Sequence, residues 1–327
     1  MARSLGRRIG PGLRPGARAG VSVDACLVTG ATGGIGRGVA LRLAGQVPRL
    51  RLLVRGSSSS PPVDAEVVQG DFDDLPSMAR AFAGMRTVFL YTPVRPDARL
   101  LQTAAEQGVR HVVLLSSASV AKVAPGERNP VAERHRAMER YVRDAGLGST
   151  CLRPDTLASN CLSWAEEIRT HRRVSVPYPS SLRNPIHEDD VALIAALAML
   201  DGDSLRSRSL LLTGPAPLSI RDQVAAIGRA SGQAIECREI AAQDAIDRMA
   251  QGPGALALDV ARRLVAYMEK TTREVPAVAS DFFEAAGQAP KAFSEWAAEH
   301  AEAFRPPKVP TLAVGPAPAP GTFHSEI

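Results

Sequence analysis

Three closely spaced glycines near the start of the chain, Gly30, Gly33 and Gly36, lie between a strand-like and a helix-like segment. The segment Ala25–Val28 is a continuous apolar run, which is typical of a buried parallel strand. Apolar side chains then recur at helical spacing from Ile35 to Leu43. Glycines between two such segments let the backbone turn tightly and bring its N–H groups against a pyrophosphate, which the positive end of the helix stabilises. The pattern favours a dinucleotide-binding loop over an ordinary glycine-rich turn, and its predicted binding residues are Gly30, Thr32, Gly33, Gly34, Ile35 and Gly36.

The end of the second predicted strand, Leu50–Arg55, indicates which dinucleotide binds. Folds that bind NAD usually carry an acidic residue there, which accepts a hydrogen bond from the ribose 2′-hydroxyl. This chain has Arg55 instead, followed closely by the serines Ser57–Ser60. A guanidinium and hydroxyl groups would bind a ribose 2′-phosphate, so NADP(H) is the preferred cofactor and NAD(H) the alternative. In the competing interpretation Arg55 is an ordinary solvated charge and the serines are a linker.

Three further strand ends are predicted to lie along the same edge of the sheet, because the carboxyl ends of parallel strands meet there. Asp71 follows the predicted strand Ala65–Gly70. Its carboxylate either accepts a hydrogen bond from the adenine amino group or caps the helix that begins near Leu75. Residues at the ends of the fourth and fifth strands are predicted to shape the nicotinamide pocket. The predicted contacts at these strand ends are Asp71, Phe72, Tyr91, Thr92, Pro93, Ser116 and Ser117.

Strand-like and helix-like segments alternate from Val23 to about Leu157, which is typical of right-handed βαβ units around a parallel sheet. Besides the segments above, the predicted elements are the helices Leu75–Phe82, Ala98–Gln107 and Pro130–Ala145 and the strands Thr87–Tyr91, His111–Ser116 and Ser149–Leu152. The expected fold class is therefore α/β, a doubly wound Rossmann sheet with a smaller, mostly helical C-terminal substrate region.

After Pro154 the pattern changes. The predicted elements there are a helical stretch Asn160–Arg173, an extended segment Val174–Pro179, an apolar helix Asp190–Leu200 capped by Asp189 or Asp190, and a last strand Leu210–Thr213. Ser219–Asp222 is a capping box that opens a helix, and the chain from there to Phe304 is predicted to be helical. The expected domains are a disordered basic arm (1–22), the Rossmann domain (23–158), the substrate region (159–304, with about 185–215 returning to the sheet) and a flexible proline-rich tail (305–327).

The formal net charge of the 327-residue chain is +5, and arginines within the first twenty residues account for it. Since no predicted helix carries a basic stripe, no nucleic-acid partner is expected. No apolar run reaches the roughly 20 residues of a membrane helix, and four dispersed cysteines are typical of a reduced, cytoplasmic protein. The polar sequence His187–Asp190 directly precedes an apolar helix, so it is predicted to cap that helix, and no metal is expected.

Several motifs, in order along the chain, resemble those of the NmrA-like group of atypical short-chain dehydrogenase/reductases. They are Thr29–Gly36, Leu53–Arg55, Gly70–Phe72, His111–Ser117, Cys151–Pro154 with Asn160, and Leu211–Pro215 followed by the helix that ends at Ser231. The resemblance extends from about Val23 to Phe304. It implies a Rossmann domain, a smaller substrate region and NADP(H) binding. Members of the group include quinone reductases, benzylic-ether and isoflavone-type reductases, and regulators that bind the cofactor without turnover.

The chain departs from the short-chain dehydrogenase pattern at the residues that handle the proton. In the family motif Tyr-x-x-x-Lys, the Tyr passes a proton to the carbonyl, and the Lys lowers the Tyr pKa and holds the ribose. This chain contains no such motif, and the aligned positions hold Val131 and His135. His135 lies on the apolar face of its helix, near the expected nicotinamide site. It is the candidate proton donor or ribose contact, because an unperturbed pKa near 6.5 suits proton transfer; the alternative is a buried histidine with a structural role.

Together these observations predict an NADP(H)-dependent oxidoreductase that reduces a quinone-like or otherwise conjugated small molecule. Such an acceptor delocalises the negative charge that remains after hydride arrival, so a weak acid or water can complete the reaction without a Tyr. The alternative is a cofactor-binding regulator or redox sensor, in which nucleotide occupancy changes binding to a protein partner and no hydride moves.

Overall fold

A seven-stranded parallel sheet lies at the centre of the molecule. The computed structural model describes residues 25–56, 61–124, 127–200, 204–251 and 255–306. The strands of the sheet are β1 (Ala25–Thr29), β2 (Arg49–Val54), β3 (Glu66–Gln69), β4 (Thr87–Tyr91), β5 (His111–Leu115), β6 (Gly148–Pro154) and β7 (Ser209–Leu212). Their spatial order is β7-β6-β5-β4-β1-β2-β3, and all neighbours are parallel. The order reverses between β1 and β4, where doubly wound sheets bind their ligands.

Helices cover both faces of this sheet and make up most of the C-terminal region. They are α1 (Gly34–Leu43), α2 (Leu75–Phe82), α3 (Ala98–Glu106), α4 (Ser119–Lys122), α5 (Pro130–Asp144), α6 (Ala165–His171), α7 (Glu188–Leu200), α8 (Ile220–Ser231), α9 (Ala242–Ala250), α10 (Leu258–Lys270), α11 (Asp281–Ala286), α12 (Phe293–Glu299) and α13 (Ala301–Phe304), with a 3-10 helix at Ala158–Trp164. Short ladders pair Thr156–Leu157 with Pro185–Ile186, Leu182–Arg183 with Leu218–Ser219, and Arg173–Val176 with Glu236–Glu239. None of the described helices is long and apolar enough to cross a membrane.

Two apolar layers hold the helices against the sheet. On one face, α1 and α7 approach so closely that a Cβ added to Gly38 would stand 2.8 Å from the Cβ of Ala192. Phe89 and Leu152 of the sheet are buried in the same layer. On the opposite face, side chains of α2, α3 and α5, among them Met78, form the second layer. Because both layers press on the sheet, the loops at its carboxyl edge start from fixed positions.

A third apolar cluster holds the C-terminal region together. It contains the fully buried Trp296 and Phe304, together with Ile227 of α8 and Val174. The Trp296 indole also donates a hydrogen bond to the carboxylate of Glu188, at 3.0 Å, in the first turn of α7. The cluster therefore joins α12 to the start of α7, which lies beside α1 and the glycine loop.

The predicted α/β fold class and the doubly wound Rossmann sheet are confirmed by the strand order. Residues 209–212 join the sheet beside β6, although the domain boundaries themselves stay a prediction. The basic arm, residues 1–22, and all but two residues of the tail, 305–327, lie outside the described residues.

The start of α7 differs from the prediction. The helix begins at Glu188, so Asp189 and Asp190 lie in its first turn and neither is its N-cap. The imidazole of His187 performs that role, because its Nδ1 accepts the backbone N–H of Asp189 at 3.1 Å. Histidine is not among the usual N-cap residues, which explains why the sequence pattern pointed to the aspartates.

The segment after α8 also differs, because it is not helical throughout. Residues Glu236–Glu239 form a strand that pairs in parallel with Arg173–Val176. The sequence of this strand, Glu-Cys-Arg-Glu, has no apolar alternation. Its backbone partner, which is distant in sequence, therefore determines its conformation.

A candidate dinucleotide-binding active site

A cavity of about 1140 Å³ opens at the carboxyl edge of the sheet, where the strand order reverses. It is lined by the glycine loop, by the ends of β2 to β5 and by residues of the C-terminal region. The predicted site residues that line it are Gly30, Thr32, Gly33, Gly34, Ile35, Gly36, Arg55, Asp71, Phe72, Tyr91 and Pro93. Its volume exceeds the range of about 300–1,000 Å³ that is usual for a single small ligand.

The glycine loop has the geometry that a pyrophosphate requires. Gly30 has a φ of +64°, and its carbonyl accepts the N–H of Gly33 at 2.9 Å, which closes the turn. A Cβ on Gly36 would stand 2.2 Å from that carbonyl oxygen, so only glycine fits there. Among the described residues, a Cβ on Gly33 would meet no atom closer than the same oxygen, at 3.5 Å. No side chain of the described structure caps α1, and its first N–H groups can therefore bind an anion.

Arg55 borders the cavity just after β2, where the sequence predicts a contact with the ribose 2′-phosphate. Its side chain is exposed, and within the described part of the chain its guanidinium has no hydrogen-bond or ion-pair partner. Burial raises the pKa of the nearby Tyr91, and the charge of Arg55 partly offsets that effect. The guanidinium is thus available to an anion in the cavity. Ser57–Ser60, which were predicted to assist it, lie outside the described residues.

Asp71 and Phe72 border the same part of the cavity. The ring of Phe72 contacts the ring of Tyr91 edge to face, with 4.8 Å between centroids. Asp71 Oδ1 accepts the backbone N–H of Asp73 at 3.0 Å, which orders the turn after β3. Asp71 does not cap α2, because the N-cap position of that helix belongs to Asp74. Of the two roles that the sequence left open, the contact with adenine is the one that stays a prediction.

Three of the predicted contacts lie behind the cavity and do not line it. Thr92 Oγ1 donates to the carbonyl oxygen of Leu115 at 3.0 Å. The buried Ser116 hydroxyl donates to Glu139 Oε1 at 2.6 Å, and the Ser117 hydroxyl is hydrogen-bonded within its own turn. These three residues therefore fix the backbone at the ends of β4 and β5, and their roles as direct cofactor contacts stay predictions.

Glu139 connects α5 to the two strands beside it. Arg153 of β6 donates two hydrogen bonds to its carboxylate, at 2.9 and 2.6 Å, in addition to the one from Ser116. Burial alone would raise the pKa of Glu139, but the bonds from Arg153 and Ser116 outweigh it and hold that pKa below its usual value. The ionised carboxylate thus ties α5 to the ends of β5 and β6.

His135 of α5 is buried, and its Nδ1 lies 3.0 Å from Thr92 Oγ1. Since Thr92 gives its own proton to Leu115, the proton of this contact must come from Nδ1. The other nitrogen, Nε2, lies 3.4 Å from the Arg134 guanidinium. Burial, reinforced by Arg134, lowers the pKa of His135 to about 4, so the ring is neutral near pH 7. His135 does not line the cavity, and its predicted role as proton donor stays a prediction.

The cavity also contains two residues that the sequence did not connect with the cofactor. Glu188 and His300 both line it, and the His300 ring stacks on Trp296 with 4.5 Å between centroids. The sequence pointed to Glu188 only as part of the polar cluster before α7, and no local pattern marks His300. Their contact joins residues more than a hundred positions apart, which no single-sequence pattern reports.

The described residues form neither a metal site nor a reactive thiol. No group of three or more His, Cys, Asp and Glu side chains among them could hold a metal ion, and the expected absence of a metal stays a prediction. The four cysteines are unpaired. Burial raises the pKa of Cys26 to about 12 and that of Cys151 to about 11, so both thiols stay protonated and unreactive.

Comparisons with known proteins show the family of this chain. A family model described as NAD(P)H-binding matches residues 30–201. The chain is also 36% identical over 297 residues to the (4-alkanoyl-5-oxo-2,5-dihydrofuran-3-yl)methyl phosphate reductase of Streptomyces griseus, covering 86% of this chain and 99% of that protein. The chain belongs to the NAD(P)H-binding family of reductases. The predicted resemblance to a family of NAD(P)H-binding reductases is thereby confirmed.

One further relative agrees with this assignment, and a solved structure shares the fold. The chain is 27% identical over 292 residues to the NAD(P)H azoreductase of Xenophilus azovorans, covering 85% of this chain and 98% of that protein. Its fold is similar to that of Citrobacter sp. triphenylmethane reductase in complex with NADP(H), with a TM-score of 0.67, 20% identity, and coverage of 85% and 99%. The NAD(P)H-binding reductase family therefore supplies the cofactor class, a nicotinamide dinucleotide, and the reaction class, an oxidoreductase.

Proposed function

We propose that this chain is an NADP(H)-dependent reductase that acts on a quinone-like or otherwise conjugated small molecule. The observation that carries the proposal is one cavity in which three features meet. These are a loop shaped for a pyrophosphate, the Arg55 guanidinium, which has no partner among the described residues, and an apolar side formed by residues at the ends of β4 and β5 and after β6.

The residues present fit a nicotinamide dinucleotide at both ends of the cavity. The backbone of Gly33 and the free N–H groups of α1 would hold the pyrophosphate. Arg55 would bind a 2′-phosphate, and no carboxylate follows β2 in its place to accept a 2′-hydroxyl. When bound, the cofactor supplies the hydride. NADP(H) is the preferred form, with NAD(H) as the alternative.

The remaining space is suited to a flat, weakly polar substrate. Leu115, Leu157 and Leu162 line it, and Val94 beside them is 81% exposed. An exposed apolar rim next to a cofactor site is typical of a ligand-binding groove. A conjugated substrate would also spread the negative charge that hydride arrival leaves, so its reduction needs no strong acid.

The names of two relatives support this substrate class. The Streptomyces griseus relative is named for an oxo-dihydrofuran, an unsaturated ring conjugated with a carbonyl, and the Xenophilus azovorans relative for an azo group. Both are acceptors in which a π system takes up electrons. We propose this general property for the substrate of this chain, and neither compound in particular.

His135 is then a residue that positions the end of β4. Its neutral ring donates to Thr92, and Thr92 donates to the carbonyl of Leu115, so the three groups form a chain of hydrogen bonds behind the nicotinamide pocket. A direct proton transfer from His135, as the sequence suggested, would require the ring to reach the cavity.

The experiment that tests the proposal is NADPH oxidation by the purified protein with a panel of quinones, unsaturated lactones, enones and azo dyes. We expect oxidation with at least one acceptor, and none with the matched variant Gly33→Val, which should fold but not bind the cofactor. A wild-type protein that binds NADPH and oxidises it with no acceptor would favour the alternative, a regulator or sensor with a protein partner. A cytoplasmic location and the absence of nucleic-acid and membrane partners stay predictions.

A further inference from the structure

A carboxylate stands unusually close to the loop that is shaped for a pyrophosphate. The Cγ of Glu188 lies 3.6 Å from the point that a Cβ on Gly34 would occupy, at the first residue of α1. Only 11% of the Glu188 side chain is exposed, and its buried Oε2 has no hydrogen-bond partner among the described residues. A negative charge here would repel the pyrophosphate that the N-terminus of α1 attracts.

The neighbour of this carboxylate is His300, whose two ring nitrogens face the Trp296 carbonyl and the Glu188 carboxylate. His300 Nδ1 lies 2.9 Å from the carbonyl oxygen of Trp296, which can only accept, so Nδ1 carries a proton. His300 Nε2 lies 3.3 Å from Glu188 Oε1. For this contact to be attractive, a second proton must be present, either on Nε2 or on the carboxyl group. In both arrangements the pair has no net charge, and it becomes an anion when that proton is lost.

The other charged groups around the pair have hydrogen-bond or ion-pair partners of their own. His187 uses its Nδ1 to cap α7, so its remaining proton is on Nε2, which faces Glu299 Oε2 at 3.1 Å. His187 Nδ1 also lies 3.9 Å from Glu188 Oε2, but it accepts the Asp189 N–H and has no proton to give to Glu188. Lys291 lies between Asp189 and Glu299, at 3.0 and 3.2 Å.

Two more groups near the start of α7 complete this environment. Arg42 of α1 also pairs with Asp189, at 2.8 Å. Asp190 accepts the backbone N–H of Lys291 at 2.8 Å, and burial raises its pKa to about 6. Of the groups named here, His300 is the one that faces both Glu188 and the cavity, and Asp190 is the group whose titration must be controlled for.

We propose that Glu188 and His300 share one proton at the side of the cavity, and that this proton makes the site neutral toward the cofactor pyrophosphate. Cofactor binding is then coupled to the pair: the protonated pair accepts the dinucleotide, and the deprotonated pair repels it. The inference rests on the proposed cofactor site. It adds to that site a pair of residues whose net charge affects pyrophosphate binding, which none of the glycine-loop residues provides.

Equilibrium binding of NADP⁺, which involves no turnover, tests this coupling in the full chain. Affinity is measured from about pH 6 to about pH 9 for the wild type, His300→Asn, Glu188→Gln and the double variant. The amide of Asn can keep the hydrogen bond to the Trp296 carbonyl, and Gln can still accept from the Trp296 indole. Asp190→Asn is the control for the neighbouring carboxyl group. Circular dichroism and thermal melting establish that each variant is folded.

We expect His300→Asn to weaken NADP⁺ binding about tenfold at neutral pH, because it leaves Glu188 as an uncompensated anion. Glu188→Gln should bind about as well as the wild type at neutral pH and lose the decline toward high pH. The double variant should recover most of the affinity that His300→Asn loses, and Asp190→Asn should retain the wild-type decline at high pH. A side chain with only a structural role would give no such recovery.

Three results would overturn the proposal: wild-type affinity in a folded His300→Asn, a double variant no better than that single variant, or a wild-type affinity that does not fall at high pH. Each of them leaves the reductase proposal standing, because the wild type still binds NADP⁺. A wild type that binds neither NADP⁺ nor NADPH would overturn both.

Discussion

Removing the guanidinium of Arg55 should reduce the preference of the protein for NADPH over NADH. Arg55 follows β2 at the edge of the cavity, and within the described residues no partner occupies its guanidinium. A 2′-phosphate would therefore meet a cation that no other group neutralises. The variant Arg55→Ala removes this contact and leaves the glycine loop unchanged.

The size of the effect follows from the exposure of the side chain. A hydrogen bond to a charged group contributes about 1.5–3 kcal/mol, and the lower end applies here because Arg55 is exposed and solvent screens its charge. About 1.5 kcal/mol corresponds to roughly tenfold in affinity. We therefore expect NADPH to bind about tenfold more tightly than NADH in the wild type, and nearly equal affinities in Arg55→Ala.

The assay is fluorescence titration of each variant with both reduced cofactors at one ionic strength, since screening changes the contribution of an exposed charge. Arg95→Ala is a matched control, because Arg95 also lines the cavity but pairs with Asp73 at 2.7 Å. That variant should keep the wild-type ratio of affinities. Equal wild-type affinities for the two cofactors, or an unchanged ratio in Arg55→Ala, would refute the assignment of the 2′-phosphate to Arg55.

Three more predictions concern the loop and the groups behind the cavity. Gly33→Val should fold, because within the described structure its Cβ would meet only the Gly30 carbonyl oxygen, at 3.5 Å, yet it should lose cofactor binding in a titration. Tight binding by the folded variant would contradict the loop assignment. His135→Ala should lower the free energy of unfolding by about 1–2 kcal/mol with little change in turnover per folded molecule, whereas a fall of about 10²-fold in turnover at unchanged stability would support a proton donor. Glu139→Gln should lower the free energy of unfolding, measured with denaturant, by about 3 kcal/mol, because Arg153 loses its ionised partner. Folding lowers the pKa of Glu139. The ionised carboxylate therefore stabilises the folded state above the unfolded pKa of about 4.3, and this stabilisation is lost as the pH falls through the folded pKa. An equal loss of stability in Glu139→Gln above and below that range would show that the charge of Glu139 is not involved.

The sequence predicts the glycine loop and the sheet well, because the features that specify them are local. Gly36 must be glycine for a reason confined to its own turn, the approach of its Cα to the Gly30 carbonyl. The strands β1, β4 and β5 are buried and therefore continuous in apolar residues, which is visible in a short window of sequence.

Features that depend on distant partners are not predictable in the same way. His135 lies on the apolar face of α5, as predicted, but its hydrogen bond to Thr92 joins positions 43 residues apart and holds its ring away from the cavity. Glu188 meets Trp296 over 108 positions, and the strand Glu236–Glu239 exists because of its ladder to Arg173–Val176. In each case the tertiary structure supplies the partner, and the local pattern contains no trace of it.

The proposed reaction moves hydride from a nicotinamide cofactor to a conjugated acceptor in this cavity. It is followed with NADPH deuterated at nicotinamide C4, prepared in each of its two stereochemical forms, and with mass spectrometry of the product. The acceptor is the best enone or unsaturated lactone of the panel, because these compounds take the hydride at a carbon that does not exchange with water. We expect one of the two forms to give a product with one added deuterium, and Gly33→Val to give no product. Oxidation of NADPH by this acceptor without deuterium in the product from either form, or no oxidation with any acceptor, would rule out the proposed hydride transfer.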